Sequence, residues 1–358
     1  MNYGQYLNLN SILNAQFPES EKKGLLAHDE MLFIITHQAY ELWFKQILFE
    51  LDSVVGIFQD PVLDDQKMGV AHSRLERVIT IQRVLVHQID IIETMTPMDF
   101  LEFRDLLIPA SGFQSIQFKK IEIILGIKKK SRTPADQDFF RTRLQESERQ
   151  TLEDLESRQS LLELLENWLE RIPFLEFGEF DFWKAYQTAA NKMFERDESI
   201  IRSNSDLSAE EIAFQVTALQ NTRKQFQSLL NKSDANHFNQ DPHFCMNQRA
   251  VLAALFIKLY RDQPILHLPY KLLTNLIEID ELWTTWRQRH AIMVQRMLGT
   301  RIGTGGSAGA DYLKKTTEKN RVFSDLFHLS SYMIPRSELP ELPESISRQL
   351  GFYFTPQN

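Results

Sequence analysis

The chain has 358 residues, 43% of them hydrophobic and 25% charged, a composition normal for a globular protein with a sizeable core. A formal net charge of −8 argues against nucleic acid as the main partner, and the longest uninterrupted apolar run, residues 250–257, is far too short to span a bilayer. A single cysteine, Cys245, excludes an internal disulfide. With no basic stretch leading into an apolar one at the N-terminus, it points to a cytoplasmic setting.

Helical periodicity recurs along nearly the whole chain and strict alternation almost nowhere, so the expected fold is all-α. Tyr3 and Tyr6 share one face of a short N-terminal turn, and exposed aromatics so near a terminus suggest docking on another surface. Asp29 is placed to cap a helix running to about Val54, with Phe33, Tyr40, Phe44, Ile47 and Leu51 on one broad face. A second long helix is expected over about 71–95, a short one from Pro97 to Leu107, and another from Phe113 to Gly126, where glycine is the natural cap. Residues 136–171 read as a charge-rich helical stretch, and 180–232 as two helices broken at Ser203–Ser208. A strongly apolar helix follows at 246–262. The region 127–243 is more charged than its flanks and is expected to be a peripheral helical insertion, while 336–358 reads as an irregular tail.

The last strong helix carries Leu282, Trp286, His290, Met293 and Met297 as one apolar stripe, with Arg287, Gln288, Arg289, Gln295 and Arg296 on the other faces. It runs into a loop with four glycines in seven residues, Gly303 to Gly309, where backbone N–H groups can approach a ligand closely. His290 points inward, which suits either a core histidine with one satisfied hydrogen bond or a ligand. In the first long helix His37 lies four residues from Phe33, beside the aromatic stripe. Phe100, Arg104 and Leu107 put a guanidinium between two apolar side chains. That suits a carboxylate in a partly dry pocket, or a cation that pairs with a neighbouring acid.

Zinc-type spacings, paired Glu-x-x-His motifs, nucleophile elbows and dinucleotide fingerprints are absent from the sequence. One inward histidine on a helix, opposite a second histidine-bearing helix, is what a haem pocket in an α-protein needs. A haem-binding carrier without turnover and a cofactor-free helical interaction protein fit the same helices.

Several stretches carry a resemblance: LAHDEMLFIITHQAYELWFKQILFELDSV, MTPMDFLEFRDLLIPASGFQSIQF and WRQRHAIMVQRMLGTRIGTGGSAGADYL, with YGQYLNLNSILNAQ, NWLERIP and DLFHLSSYMIPR. Together they resemble the tryptophan 2,3-dioxygenase family over nearly the whole chain, most loosely across 127–243 and the last twenty residues. The resemblance implies a large helical haem-binding bundle, a homotetramer with one haem b per subunit, that oxidises L-tryptophan with O2 to N-formyl-L-kynurenine. It also implies His290 as the axial iron ligand and His37 as the distal histidine over the indole N–H. Arg104 would take the substrate carboxylate, and Thr304 its ammonium and carboxylate groups. Phe33, Phe100, Leu107, Ser111 and Gly112 would wall the pocket. Tyr3 and Tyr6 would reach a neighbouring subunit's site, and Trp168 and Arg171 a second, non-catalytic tryptophan.

Overall fold

In the computed structural model the described residues are 1–25, 27–127, 144–172, 176–177, 180–231, 238, 244–299, 301 and 320–351. Among them the chain is helical throughout, apart from a two-stranded antiparallel ribbon. Its strands are β1 (Glu176–Phe177) and β2 (Phe180–Asp181), with Glu176 opposite Asp181 and Phe177 opposite Phe180. The helices are α1 (Tyr3–Tyr6), α2 (Leu9–Leu13), α3 (Glu19–Lys22), α4 (Asp29–Gln59), α5 (Asp65–Ile92), α6 (Pro97–Arg104) and α7 (Ile116–Leu125). They continue with α8 (Glu146–Glu156), α9 (Leu161–Glu170), α10 (Phe182–Ser203), α11 (Ala209–Leu230) and α12 (Gln248–Leu259). The last are α13 (Pro264–Leu298), α14 (Ser324–His328) and α15 (Glu344–Leu350). No helix among the described residues is long and apolar enough to cross a membrane.

Two long helices overrun their expected limits, and a third crosses a proline, for one reason. α4 continues through Gly56, α5 begins before Gly69, and α13 runs across Pro269. Each such residue costs about 1 to 3 kcal/mol in a helix interior. Burial of Phe58 beyond Gly56, Met68 beside Gly69 and Leu266 and Leu272 around Pro269 opposes that cost, at about 1.5–3 kcal/mol per large apolar side chain. In the other direction, the helix expected over 97–107 is α-helical only to Arg104 and closes with a 3-10 turn at Asp105–Leu107. The helix expected from Phe113 begins at Ile116, capped by the Ser115 side chain on the Phe118 N–H and closed by Gly126 at φ 147. The tail is more regular than its sequence suggests, because α15 buries Ile346 and Leu350.

The described chain divides into two units. The first comprises residues 1–56, 73–161 and 278–322. There α4 and α5 are tied by the Tyr40 hydroxyl donating to the Leu85 carbonyl at 2.9 Å and by Gln88 donating to the Thr36 carbonyl at 2.8 Å. α5 is tied to α13 by Gln82 on the Ile279 carbonyl, and by Arg289 on Asp90 and Glu93. The N-terminal arm is held by two side chains of α4. Glu30, buried, accepts the N–H groups of Glu19 and Ser20, and Gln38 donates to the Ala15 carbonyl.

The second unit comprises residues 57–72, 162–277 and 323–358. Its core joins Phe182 and Tyr186 of α10 to Phe256 and Tyr260 in and after α12. α12 is strongly buried on most sides, as its sequence suggests. Its entry is fixed by buried Asp325, whose carboxylate accepts the N–H groups of Cys245 and Met246.

Candidate active site

The first unit contains the two histidines that the sequence singles out. On α4, Phe33 and His37 are one turn apart, with ring centroids 4.1 Å apart. His37 Nδ1 lies 2.7 Å from the Phe33 carbonyl oxygen. A carbonyl can only accept, so Nδ1 carries the proton and Nε2 keeps its lone pair. Burial lowers the His37 pKa, outweighing the Phe33 hydrogen bond and the charge of Glu41, which both act to raise it. At neutral pH His37 is thus a neutral imidazole whose Nε2 can accept a hydrogen bond.

His290 sits on α13 with its pKa lowered to about 4, first by burial and then by the charge of His37. The second cause places the two imidazoles within electrostatic reach of each other, on helices that approach from different parts of the chain. Both rings are half-buried in surface terms. Their depth within the protein is what disfavours the charged forms.

The apolar wall forms around buried Phe103, Met95, Ile92, Ala27 and Met297, with Phe33, Phe100, Leu107 and Met293 packed against them. Phe33 lies 5.8 Å from Phe100 and 5.6 Å from Phe103, and the last two meet edge to face at 5.4 Å. α6 positions this corner: Thr96 and Asp99 form a capping box, with Pro97 at the first helical position. Arg104, at the end of α6, keeps only 15% of its side chain exposed and pairs with Asp105 at 2.9 Å, a carboxylate that is itself 77% exposed. The neighbouring-acid arrangement is therefore the one present, and it also shows that this guanidinium can take a carboxylate. Ser111 and Gln114 exchange hydrogen bonds at the start of a 3-10 turn, Gly112–Gln114. A Cβ at Gly112 would meet nothing within 4 Å, so close packing does not demand glycine there.

Thr304 and the glycine-rich loop lie outside the described residues. Tyr3 and Tyr6 are 75% and 71% exposed, on a helix that buries no residue. In the second unit Trp168 is buried edge-on against Phe58 at 5.9 Å. Its neighbour Arg171 donates to the carbonyls of Asn167 and Pro61.

Two features of the site escape the sequence reading. Arg287, assigned by periodicity to an outward face of α13, is buried and paired with Glu122 of α7 at 3.0 Å. Lys119 joins the same carboxylate at 2.8 Å. Burial alone would raise the Glu122 pKa, but the two cations together hold it below the usual range. Arg287 also donates to the Asn320 carbonyl, and Asp280, one heptad earlier on α13, accepts the Val322 N–H. The signal was a lone acid inside the apolar run Ile121–Leu125, which requires a buried partner. The second is a role for Trp286: spacing puts it on one stripe with His290, but only the fold shows its indole stacked on the His290 ring.

No cluster of three or more metal-ligating side chains occurs among the described residues. The chemistry that is present suits a different centre. His290 offers a single neutral imidazole beside an apolar, aromatic wall, with a second neutral imidazole within electrostatic reach. These are the groups that would hold a flat, largely apolar macrocycle through one axial nitrogen and leave its other face for a ligand.

The buried ion cluster gives a stability prediction. Replacing Arg287 with methionine leaves Glu122 with Lys119 alone, and should cost about 3 kcal/mol in chemical denaturation. Adding Glu122→Gln should recover part of that loss, and strictly additive losses would show that the two side chains are not coupled.

A family profile described as tryptophan 2,3-dioxygenase matches residues 1–333. A protein named tryptophan 2,3-dioxygenase from Alteromonas mediterranea is 50% identical over 351 residues, 98% of this chain and 97% of the relative. One of the same name from Bdellovibrio bacteriovorus is 47% identical, with 99% of both chains covered. A third, from Mus musculus, is 43% identical over 97% of this chain and 86% of its own. With the two histidines, the aromatic corner and the half-buried arginine all in one unit, these matches show that the chain belongs to the tryptophan 2,3-dioxygenase family.

Proposed function

We propose that this chain opens the indole ring of L-tryptophan across its C2–C3 bond, adding both atoms of O2 to give N-formyl-L-kynurenine. The observation that carries this is the pairing of His290 with His37, two neutral imidazoles of different character beside an aromatic corner and a half-buried arginine. His290 would hold the one haem b of each subunit through a ring nitrogen. Bound haem supplies the activation of O2 and the redox chemistry, and the chain supplies binding, orientation and exclusion of water.

The substrate is a zwitterion with a flat apolar bicycle. Arg104 exchanges the exposed Asp105 carboxylate for that of tryptophan, and Thr304 contacts the substrate's ammonium and carboxylate groups. Phe33, Phe100 and Leu107 wall the indole, with Ser111 and Gly112 beside them. His37 accepts the indole N–H at Nε2 and so fixes which way the ring lies. It is not a general base. An imidazole whose pKa is lowered by burial is far too weak to deprotonate a neutral indole.

The assembly is a cytoplasmic homotetramer, in which Tyr3 and Tyr6 complete a neighbour's site. Their exposure, on a helix that buries no residue, supports that placement. A second tryptophan at Trp168 and Arg171 would require Arg171 to release the backbone carbonyls it now contacts.

Turnover of tryptophan by the reduced, haem-loaded protein, followed as formylkynurenine, tests the activity, and Arg104→Leu tests the site. The variant should lose about 2–4 kcal/mol in kcat/KM for tryptophan and much less for tryptamine, which has no carboxylate. Equal losses for both would remove the carboxylate role.

Acid titration addresses His37. Its pKa lies below 6.5, so the accepting neutral form persists at and above that pH. Tryptophan affinity should be flat from about pH 8 to 6.5 and fall only on further acidification. A loss centred above pH 6.5 would contradict the assignment. Deleting residues 1–8 should weaken tryptophan binding and loosen the oligomer. A truncated protein of unchanged size and full activity would exclude the reach across subunits.

A further inference from the structure

Ligating histidines almost always donate their second ring nitrogen to a carboxylate, carbonyl or water, and that hydrogen bond fixes the ring. Among the described residues no carboxylate or carbonyl meets either nitrogen of His290. Nearby carboxylates are engaged elsewhere, Glu122 by Lys119 and Arg287, Asp90 and Glu93 by Arg289. What His290 does have is Trp286, one turn earlier on α13, with ring centroids 5.2 Å apart and planes only 8° from parallel.

The indole is itself held on several sides. Phe118 lies 5.3 Å away at 40°, Trp283 stands at right angles at 6.0 Å, and Tyr40 meets it edge-on at 6.0 Å. Tyr40 is fixed in turn by its hydroxyl on the Leu85 carbonyl. The chain of contacts thus runs from the backbone of α5, through Tyr40 and Trp286, to the plane of the His290 ring.

We propose that Trp286 is the positioning residue for His290: its stacked indole sets the imidazole plane, and so the direction of the ligating lone pair. The proposal rests on His290 being the haem ligand. Rotation of the imidazole about its Cβ–Cγ bond would break the stacking and drive the ring into the Trp286 face. Removing the indole therefore releases the ring without removing the ligand.

The test compares haem-loaded wild type, Trp286→Phe and Trp286→Met, reading the iron–histidine stretching band of the ferrous protein by resonance Raman and the rate of haem transfer to excess apomyoglobin. Phenylalanine keeps a flat partner, whereas methionine fills volume without one. The methionine variant should show a shifted and broadened band and about tenfold faster haem transfer. The phenylalanine variant should keep the band near its wild-type position. Equal perturbation of both variants, or a methionine variant with the wild-type band, would overturn the proposal. If the methionine variant does not fold, the phenylalanine variant decides alone, since loss of its band would be equally fatal. Failure of the His290 reading is distinguishable, because His290→Ala would then retain the wild-type band.

Discussion

Glu122 is an ionised carboxylate inside the protein, between Lys119 one turn before it and Arg287 on another helix. A buried charge is tolerated only when its partners meet it closely, so the pair admits little rotation or sliding of α13 against α7. Arg287 and His290 are three residues apart, about 60° around an α-helix. Locking the azimuth of one therefore locks that of the other. Arg289, held by Asp90 and Glu93, fixes the same turn of α13 against α5. The ligand candidate thus sits on a helix segment clamped from two sides by ionic contacts, whose geometry is stricter than that of apolar packing.

Beside that fixed histidine, the apolar wall is made of softer material. Phe33, Phe100, Phe103, Met293 and Met297 meet through edge and tilted contacts, whose energies change little with small displacements. A flat cofactor and a flat substrate can be accommodated by small repacking there. In the proposed site, orientation would be left to a few polar atoms, His37 Nε2 and the Arg104 guanidinium. Such a division between rigid ligand support and adaptable walls is what a site needs when its specificity comes from few hydrogen bonds.

Much of this was legible in the sequence, because helical spacing alone brings Phe33 to His37 and aligns Trp286, His290, Met293 and Met297. The all-α fold and the break between α10 and α11 followed from periodicity and polar punctuation. The illegible parts share one cause, partners far away in the chain. Arg287 reads as solvent-facing until Glu122, 165 positions earlier, is brought to it by the fold. Helix ends were misjudged near Gly56 and Gly69, where local propensity says stop and distant packing says continue; α13 runs across Pro269 for the same reason. The resemblance to known proteins named Thr304, yet no local physics in a glycine-rich run assigns that threonine a task.

The attachment of residues 320–322 to α13 has a topological consequence. α13 ends at Leu298, and Asn320 and Val322 are bonded back to that same helix by Arg287 and Asp280. Between those levels the helix axis advances by about 18 to 28 Å, whereas the intervening chain has a contour length of about 70 Å. The segment is thus a tether whose two ends are held on one rod. Lengthening such a tether changes its closure entropy only logarithmically, about 0.6 kcal/mol per doubling. Its length can drift between relatives with little mechanical effect on His290.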